Sequence, residues 1–118
     1  MKIVRCKESE VQLRPDGRTV RKLINKYLGI NFSDIQFLYV THPVGLREKM
    51  HSHEKSYEIF YFLDPARYRI NGQDYDINKN DIILLEPGDV HGAIPINNEV
   101  RILVVQVPAI TDDKKTFE

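Results

Sequence analysis

Between Ile35 and Val107 the chain is a succession of short apolar runs, each cut off by turn chemistry. The runs are IQFLYV (35–40), LREKMHSH (46–53), EIFYFL (58–63), ARYRI (66–70), QDYDI (73–77), IILLE (82–86), HGAIPI (91–96) and VRILVVQV (100–107). Between them stand His42-Pro43-Val44-Gly45, Asp64-Pro65, Asn71-Gly72, Lys79-Asn80-Asp81, Pro87-Gly88-Asp89 and Asn97-Asn98. Strands of this length, recurring about every ten residues with Gly, Pro and Asn between them, indicate an all-β sandwich or barrel. The helical period fails throughout 35–107, and Asn71-Gly72 is a hairpin signal in its own right.

The rest of the chain adds little that competes with this. With 118 residues it is one domain, able to bury roughly two-thirds of its unfolded surface around a real core. The expected division is an N-terminal arm over 1–34, a barrel over 35–110 and a charged tail over 111–118, frayed or draped on a partner. Ile3 to Leu13 reads as a short edge strand, and Pro15-Asp16-Gly17 as a turn. Thr19 to Leu28 fits a short helix or an extended arm equally well. Seventeen basic residues balance seventeen acidic ones, which removes the usual ground for a nucleic-acid or anionic-membrane partner. No apolar run approaches a membrane span, and MKIVRCKESE is too short and polar for a signal peptide. Cys6 is the only cysteine, so no intrachain disulfide forms and a cytoplasmic setting is expected.

Chemistry concentrates in HSHEKSYE (51–58) and in His91 of EPGDVHG. On a strand, side chains alternate faces, so His51 and His53 point the same way and offer two neighbouring imidazoles. Glu58 lies an odd number of positions beyond His53, but the polar Glu54-Lys55-Ser56 break lets the chain turn and bring it to the same interior. Glu58 also heads IFYFL, where a charge is costly unless paired or coordinated. His91 follows its own Pro-Gly-Asp turn. Three imidazoles and a carboxylate suit a divalent transition metal. His42, before Pro43, reads as a structural loop histidine.

Gly45-Leu-Arg-Glu-Lys-Met-His51-Ser-His53-Glu-Lys-Ser-Tyr-Glu58 resembles the first signature of the cupin superfamily, and Asn80-Asp81-Ile-Ile-Leu-Leu-Glu86-Pro87-Gly88-Asp89-Val90-His91 resembles the second. The two motifs and their strands span roughly 35–107, with the short spacing of small single-domain members. The pattern departs at Pro65 and Asn80, each where the family has glycine, at Glu86, where it has proline, and at Pro95, where it has asparagine. None of these is a ligand position. The resemblance implies a double-stranded β-helix, or jelly-roll barrel, with a short N-terminal arm. It also implies that His51, His53, Glu58 and His91 bind one divalent ion (Fe, Mn, Ni, Cu or Zn), leaving two octahedral positions open. Because the superfamily carries many chemistries on one barrel, it does not name a reaction.

Further candidates for the pocket follow from parity. Arg47 and Lys49 share a face with His51 if that strand is regular, and would attract an anionic substrate. Phe60 and Phe62 share the parity of Glu58 and line the interior, as core or as a substrate wall. Gln106 is a donor on the last long strand. Ile59, Tyr61 and Leu63 then face outward, which together with the habit of small cupins to pair suggests a homodimer.

Two functional classes remain. One is a metal-dependent enzyme on a small polar or anionic molecule, of dioxygenase or isomerase/lyase type, although no general acid or base stands out. The other is a non-catalytic module that binds or senses a sugar-like or chelating metabolite. A metal that only stabilises the barrel is a third, plainer reading. Residues 1–30 are too few for a convincing helix-turn-helix, which argues against a direct transcription factor.

Overall fold

The computed structural model describes residues 1–16, 19–24, 26–27, 29, 34–110 and 112–117. Its strands are β1 (Lys2–Val4), β2 (Gln12–Leu13), β3 (Thr19–Val20), β4 (Gln36–His42), β5 (His51–His53), β6 (Tyr57–Phe62), β7 (Ala66–Ile70), β8 (Gln73–Ile77), β9 (Ile82–Leu85), β10 (His91–Ala93), β11 (Val100–Val107) and β12 (Lys114–Thr116). Five strands form one sheet in the order β1-β9-β6-β11-β4, and five form a second in the order β12-β5-β10-β7-β8. All the pairings are antiparallel. The two sheets make the jelly-roll barrel that the rhythm of apolar runs implies.

Alternation along the strands fills the interior. In β6, Glu58, Phe60 and Phe62 are buried while Tyr57, Ile59 and Tyr61 are less so. In β7, Ala66, Tyr68 and Ile70 are buried and Arg67 and Arg69 exposed. Phe62, Tyr68, Ile70, Ile77, Ile83, Leu85 and Ile102 form the centre of the core. Phe62 stands edge-on to Tyr68 with ring centroids 5.4 Å apart. Each such side chain contributes about 1.5–3 kcal/mol on leaving water.

The turns have the geometry their residues dictate. Asn71 and Gly72 both have positive φ (50° and 82°), the left-handed pair that closes a two-residue hairpin between β7 and β8. Glu86-Pro87-Gly88-Asp89 closes with Asp89 N–H donating to Glu86 O at 3.0 Å, Gly88 taking φ 88°. Asn80, standing where the related motif has glycine, takes φ 73°.

Three expectations are corrected. The run 46–53 is not one strand: only His51–His53 pairs, and residues 46–50 are irregular. The cause is Glu48, whose carboxylate Oε1 accepts the Ala93 N–H at 3.0 Å and so occupies a donor that would extend the ladder. The tail is not frayed, since Lys114–Thr116 pairs with β5 at the edge of the second sheet. His42 is the last residue of β4 rather than a loop residue. In the arm, β1 pairs with β9 and β2 with β3, while one 3-10 turn, Cys6–Glu8, is the longest helical piece among the described residues. Of the stretch 19–28, Thr19–Val20 is a strand and the other described residues are irregular. Gly17, Asn25 and Leu28, with parts of the arm and tail (18, 30–33, 111, 118), lie outside the described residues.

Candidate metal centre

β5 and β10 are neighbours, and the one residue pair in register between them is His51 with His91. Their ring centroids are 4.3 Å apart, and His53 lies 5.8 Å and 6.2 Å from the two. Each imidazole offers a ring nitrogen, and these atoms lie within 4.8 Å of one another. Glu58 comes from the other sheet. Its Oε1 is 3.0 Å from His53 Nε2 and 3.6 Å from His91 Nε2.

Second contacts orient two of the rings. His51 Nδ1–H donates to Lys49 O at 2.9 Å, and His91 Nδ1–H donates to Asp89 O at 2.9 Å. That fixes the tautomer and leaves each Nε2 lone pair aimed inward, the arrangement by which backbone carbonyls usually present a ligand histidine. His91 Nε2, Glu58 Oε1 and His53 Nδ1 are buried with no aligned hydrogen bond, so the approach of His53 to Glu58 is an ion contact only. Leaving such atoms unsatisfied costs about 1–3 kcal/mol each. A cation between them removes that cost for His91 Nε2 and Glu58 Oε1, so the donor set fits a divalent ion.

The electrostatics agree. Burial alone would push the Glu58 carboxyl up, but His53 and His91 beside it hold it down to about 2. Burial lowers the His51 imidazole, which keeps it neutral, against the opposing contact with Lys49 O. His53 is raised, chiefly by Glu58 and against its burial.

The β5–β6 corner that sets His53 against Glu58 is itself held from the C-terminus. Asp113, 4% exposed, accepts the backbone N–H groups of Glu54 (3.1 Å), Lys55 (2.9 and 3.1 Å) and Ser56 (2.8 Å). Ser56 Oγ donates to Pro108 O at 2.7 Å, and Gly88 N–H donates to His53 O at 2.9 Å. The break that the sequence shows as merely polar is a corner with all three of its donors engaged.

The centre opens into a cavity of about 230 Å³, lined on one side by Leu38, Val40, Ile102 and Val104. Its polar lining is His42, Glu48, His51, His53, Glu58, Gln106 and Lys114, with Phe60 and Tyr68 completing the wall. Of the residues singled out by parity, the structure brings Phe60 and Gln106 here. Phe62, fully buried, belongs to the core. Arg47 and Lys49 are exposed and do not line the cavity, because the regular strand that would have turned them inward does not exist. Glu48, His42 and Lys114 are the charged or ionisable lining residues that sequence reasoning missed. Burial lowers the His42 imidazole, against the opposing charge of Glu48.

Comparison with known proteins places this architecture. Residues 36–112 match the AraC-like ligand binding domain family. The uncharacterized protein MJ1618 of Methanocaldococcus jannaschii is 27% identical over 92% of this chain and 89% of its own. In fold, the chain resembles an uncharacterized conserved protein with a double-stranded β-helix domain from Klebsiella pneumoniae (TM-score 0.65, 21% identity, 75% of this chain and 79% of that one). It also resembles the DMSP lyase DddQ of Ruegeria pomeroyi (TM-score 0.63, 19% identity), covering 70% of this chain but only 43% of the lyase. With two antiparallel sheets closing over a histidine cluster and the match spanning most of both, the chain belongs to the AraC-like ligand binding domain family, a cupin-type double-stranded β-helix.

Proposed function

We propose that the chain holds one divalent transition metal ion on His51, His53, His91 and Glu58 and acts, as an enzyme, on a small polar or anionic molecule in the adjoining cavity. The observation that carries this is the convergence of buried, unsatisfied His91 Nε2 and Glu58 Oε1 on one point, with His51 and His91 locked by backbone carbonyls to face it. A bound divalent ion supplies Lewis acidity, and a redox-active one electron transfer as well. The cavity, at about 230 Å³, falls below the ~300–1,000 Å³ range of drug-sized sites and suits a compact metabolite. Leu38, Val40, Ile102 and Val104 give it one apolar wall. Glu48, with Oε1 held by Ala93 N–H and its side chain in the cavity lining, is the carboxylate that would serve as proton acceptor in a lyase or isomerase reaction.

The test is the metal content of protein purified without added metal, followed by turnover of small carboxylic and hydroxy-carbonyl compounds with oxygen uptake recorded. Metal with oxygen-independent turnover supports the lyase or isomerase class, and substrate-dependent oxygen uptake the dioxygenase class. Protein that takes up no first-row ion refutes the reading. A second reading, a module that binds or senses its ligand without turnover, is favoured by the family to which residues 36–112 belong. Tight ligand binding with no chemistry under any metal decides for it.

The outer face of the first sheet, opposite the cavity, supports a homodimer. Phe37 and Tyr39 on its edge strand are 68% and 59% exposed and continue, in register, into Val105 with Ile59 and Leu103 with Tyr61. A self-complementary apolar face of this kind fits a second copy related by a twofold axis. Light scattering across a dilution series measures it.

A further inference from the structure

The C-terminal strand does more than close an edge. In the antiparallel pairing of β12 with β5, Lys114 lies opposite His53 and Thr116 opposite His51. Opposed residues share a face of the sheet, so the inward aim of the two histidines carries over to Lys114. Its side chain lines the metal-centre cavity, and with His53 and Gln106 it also lines an adjoining cavity of about 240 Å³, whose other walls are Gln36, Ala109 and Ile110.

Lys114 is the one ammonium among the described residues lining the first cavity. No hydrogen bond or ion pair engages its Nζ among the described residues. The carboxylates nearby have other obligations, Glu58 to His53 and His91, and Glu48 to the Ala93 N–H. The lysine is also held in place rather than drifting on a tail. The preceding residue, Asp113, is buried and bound to three backbone N–H groups of the β5–β6 corner. An unpaired cation at the junction of two cavities, with a neutral amide lining the same two, is a recognition point for an anion.

We propose that Lys114, assisted by Gln106, binds the carboxylate of a small anionic substrate whose other end reaches the imidazole cluster. The proposal rests on the metal-cavity reading above and names its substrate class. Lys114 ammonium supplies the charge, and the Gln106 amide N–H the direction. Arg47 and Lys49, exposed and away from the cavity, play no part.

The test titrates full-length protein, as purified, with malonate and with the neutral isostere malonamide by calorimetry, comparing wild type with Lys114→Met and Lys114→Arg. Lys114→Met preserves a long side chain on an exposed strand position, and thermal melting confirms the fold. The expected result is malonate bound in preference to malonamide, a loss of malonate affinity of about tenfold or more in Lys114→Met, and recovery to within about threefold in Lys114→Arg. Malonamide binding and metal content stay unchanged across the set. Equal malonate affinity in Lys114→Met and wild type overturns the proposal, as does absence of a preference for malonate or of any malonate binding. Metal content is read on the same samples. A chain without metal refutes the proposed function, while the lysine effect on malonate still stands or falls by its own titration.

Discussion

His51 and His91 face each other across neighbouring antiparallel strands with ring centroids 4.3 Å apart, each Nδ1 tied to the carbonyl two residues before it. Two imidazoles fixed so closely act as a unit. His51→Ala, or His91→Ala, is expected to reduce bound metal to well below one equivalent and to cost at least about tenfold in affinity. Elemental analysis after gel filtration measures it, and a His51→Ala protein with full metal content would sink the site assignment.

Asp113 holds the corner through three backbone N–H groups and also lies beside the His53 ring, its Oδ2 3.9 Å from Nδ1. Asp113→Ala strands the Lys55 and Ser56 N–H donors at the corner, Glu54 N–H keeping the Asp113 backbone carbonyl, and is expected to destabilise the fold by about 2–3 kcal/mol. Because the corner spaces His53 from Glu58, metal affinity should fall in the same variant although every ligand remains. Urea denaturation with and without metal separates the two effects.

Chelation should lower the melting temperature of metal-loaded protein. An ion that binds only the folded state, present at ~100 times its dissociation constant, adds about 2.7 kcal/mol of stability. Differential scanning calorimetry before and after EDTA reads the change, and readdition of the ion restores it.

Phe62 is fully buried at the centre of the core, against Phe60 and Tyr68. Phe62→Ala is expected to cost about 3–5 kcal/mol. Phe60→Ala removes a cavity wall as well, so its loss in ligand binding should exceed that of Phe62→Leu. Denaturation midpoints and ligand titrations on the same preparations distinguish core from wall.

A pH effect is expected away from the centre. The Arg101 guanidinium beside Asp64 holds that carboxyl down to about 2, against the opposing effect of burial. A depressed folded value means stability that is present above the ordinary value of 3.8 and lost as pH falls through about 2. Asp64→Asn should therefore be slightly less stable than wild type at neutral pH, the gap closing below pH 3.8. Urea midpoints across that range measure it.

The fold was legible because turn residues and alternation both act locally. Asn71-Gly72 and Pro87-Gly88 impose their dihedrals whatever surrounds them, and Glu58, Phe60 and Phe62 take one face by parity alone. The His-x-His spacing was readable for the same reason. What escaped was set by contacts across long sequence distances. Glu48 enters the cavity because its carboxylate takes a hydrogen bond from Ala93, 45 residues away, and that contact ends the strand that would have turned Arg47 and Lys49 inward. Asp113 and Lys114 looked like part of a solvated charge run. Only the pairing of β12 with β5 turns one inward and buries the other.

The short passage from His53 to Glu58 is where the chain leaves one sheet for the other, so the distance between donor atoms there is governed by a corner rather than by the girth of the barrel. Its length and its anchoring carboxylate then act as a gauge. Lengthening the corner by one residue, or releasing it from Asp113, would widen the bite between nitrogen and oxygen and shift preference toward larger ions, with every ligand left in place.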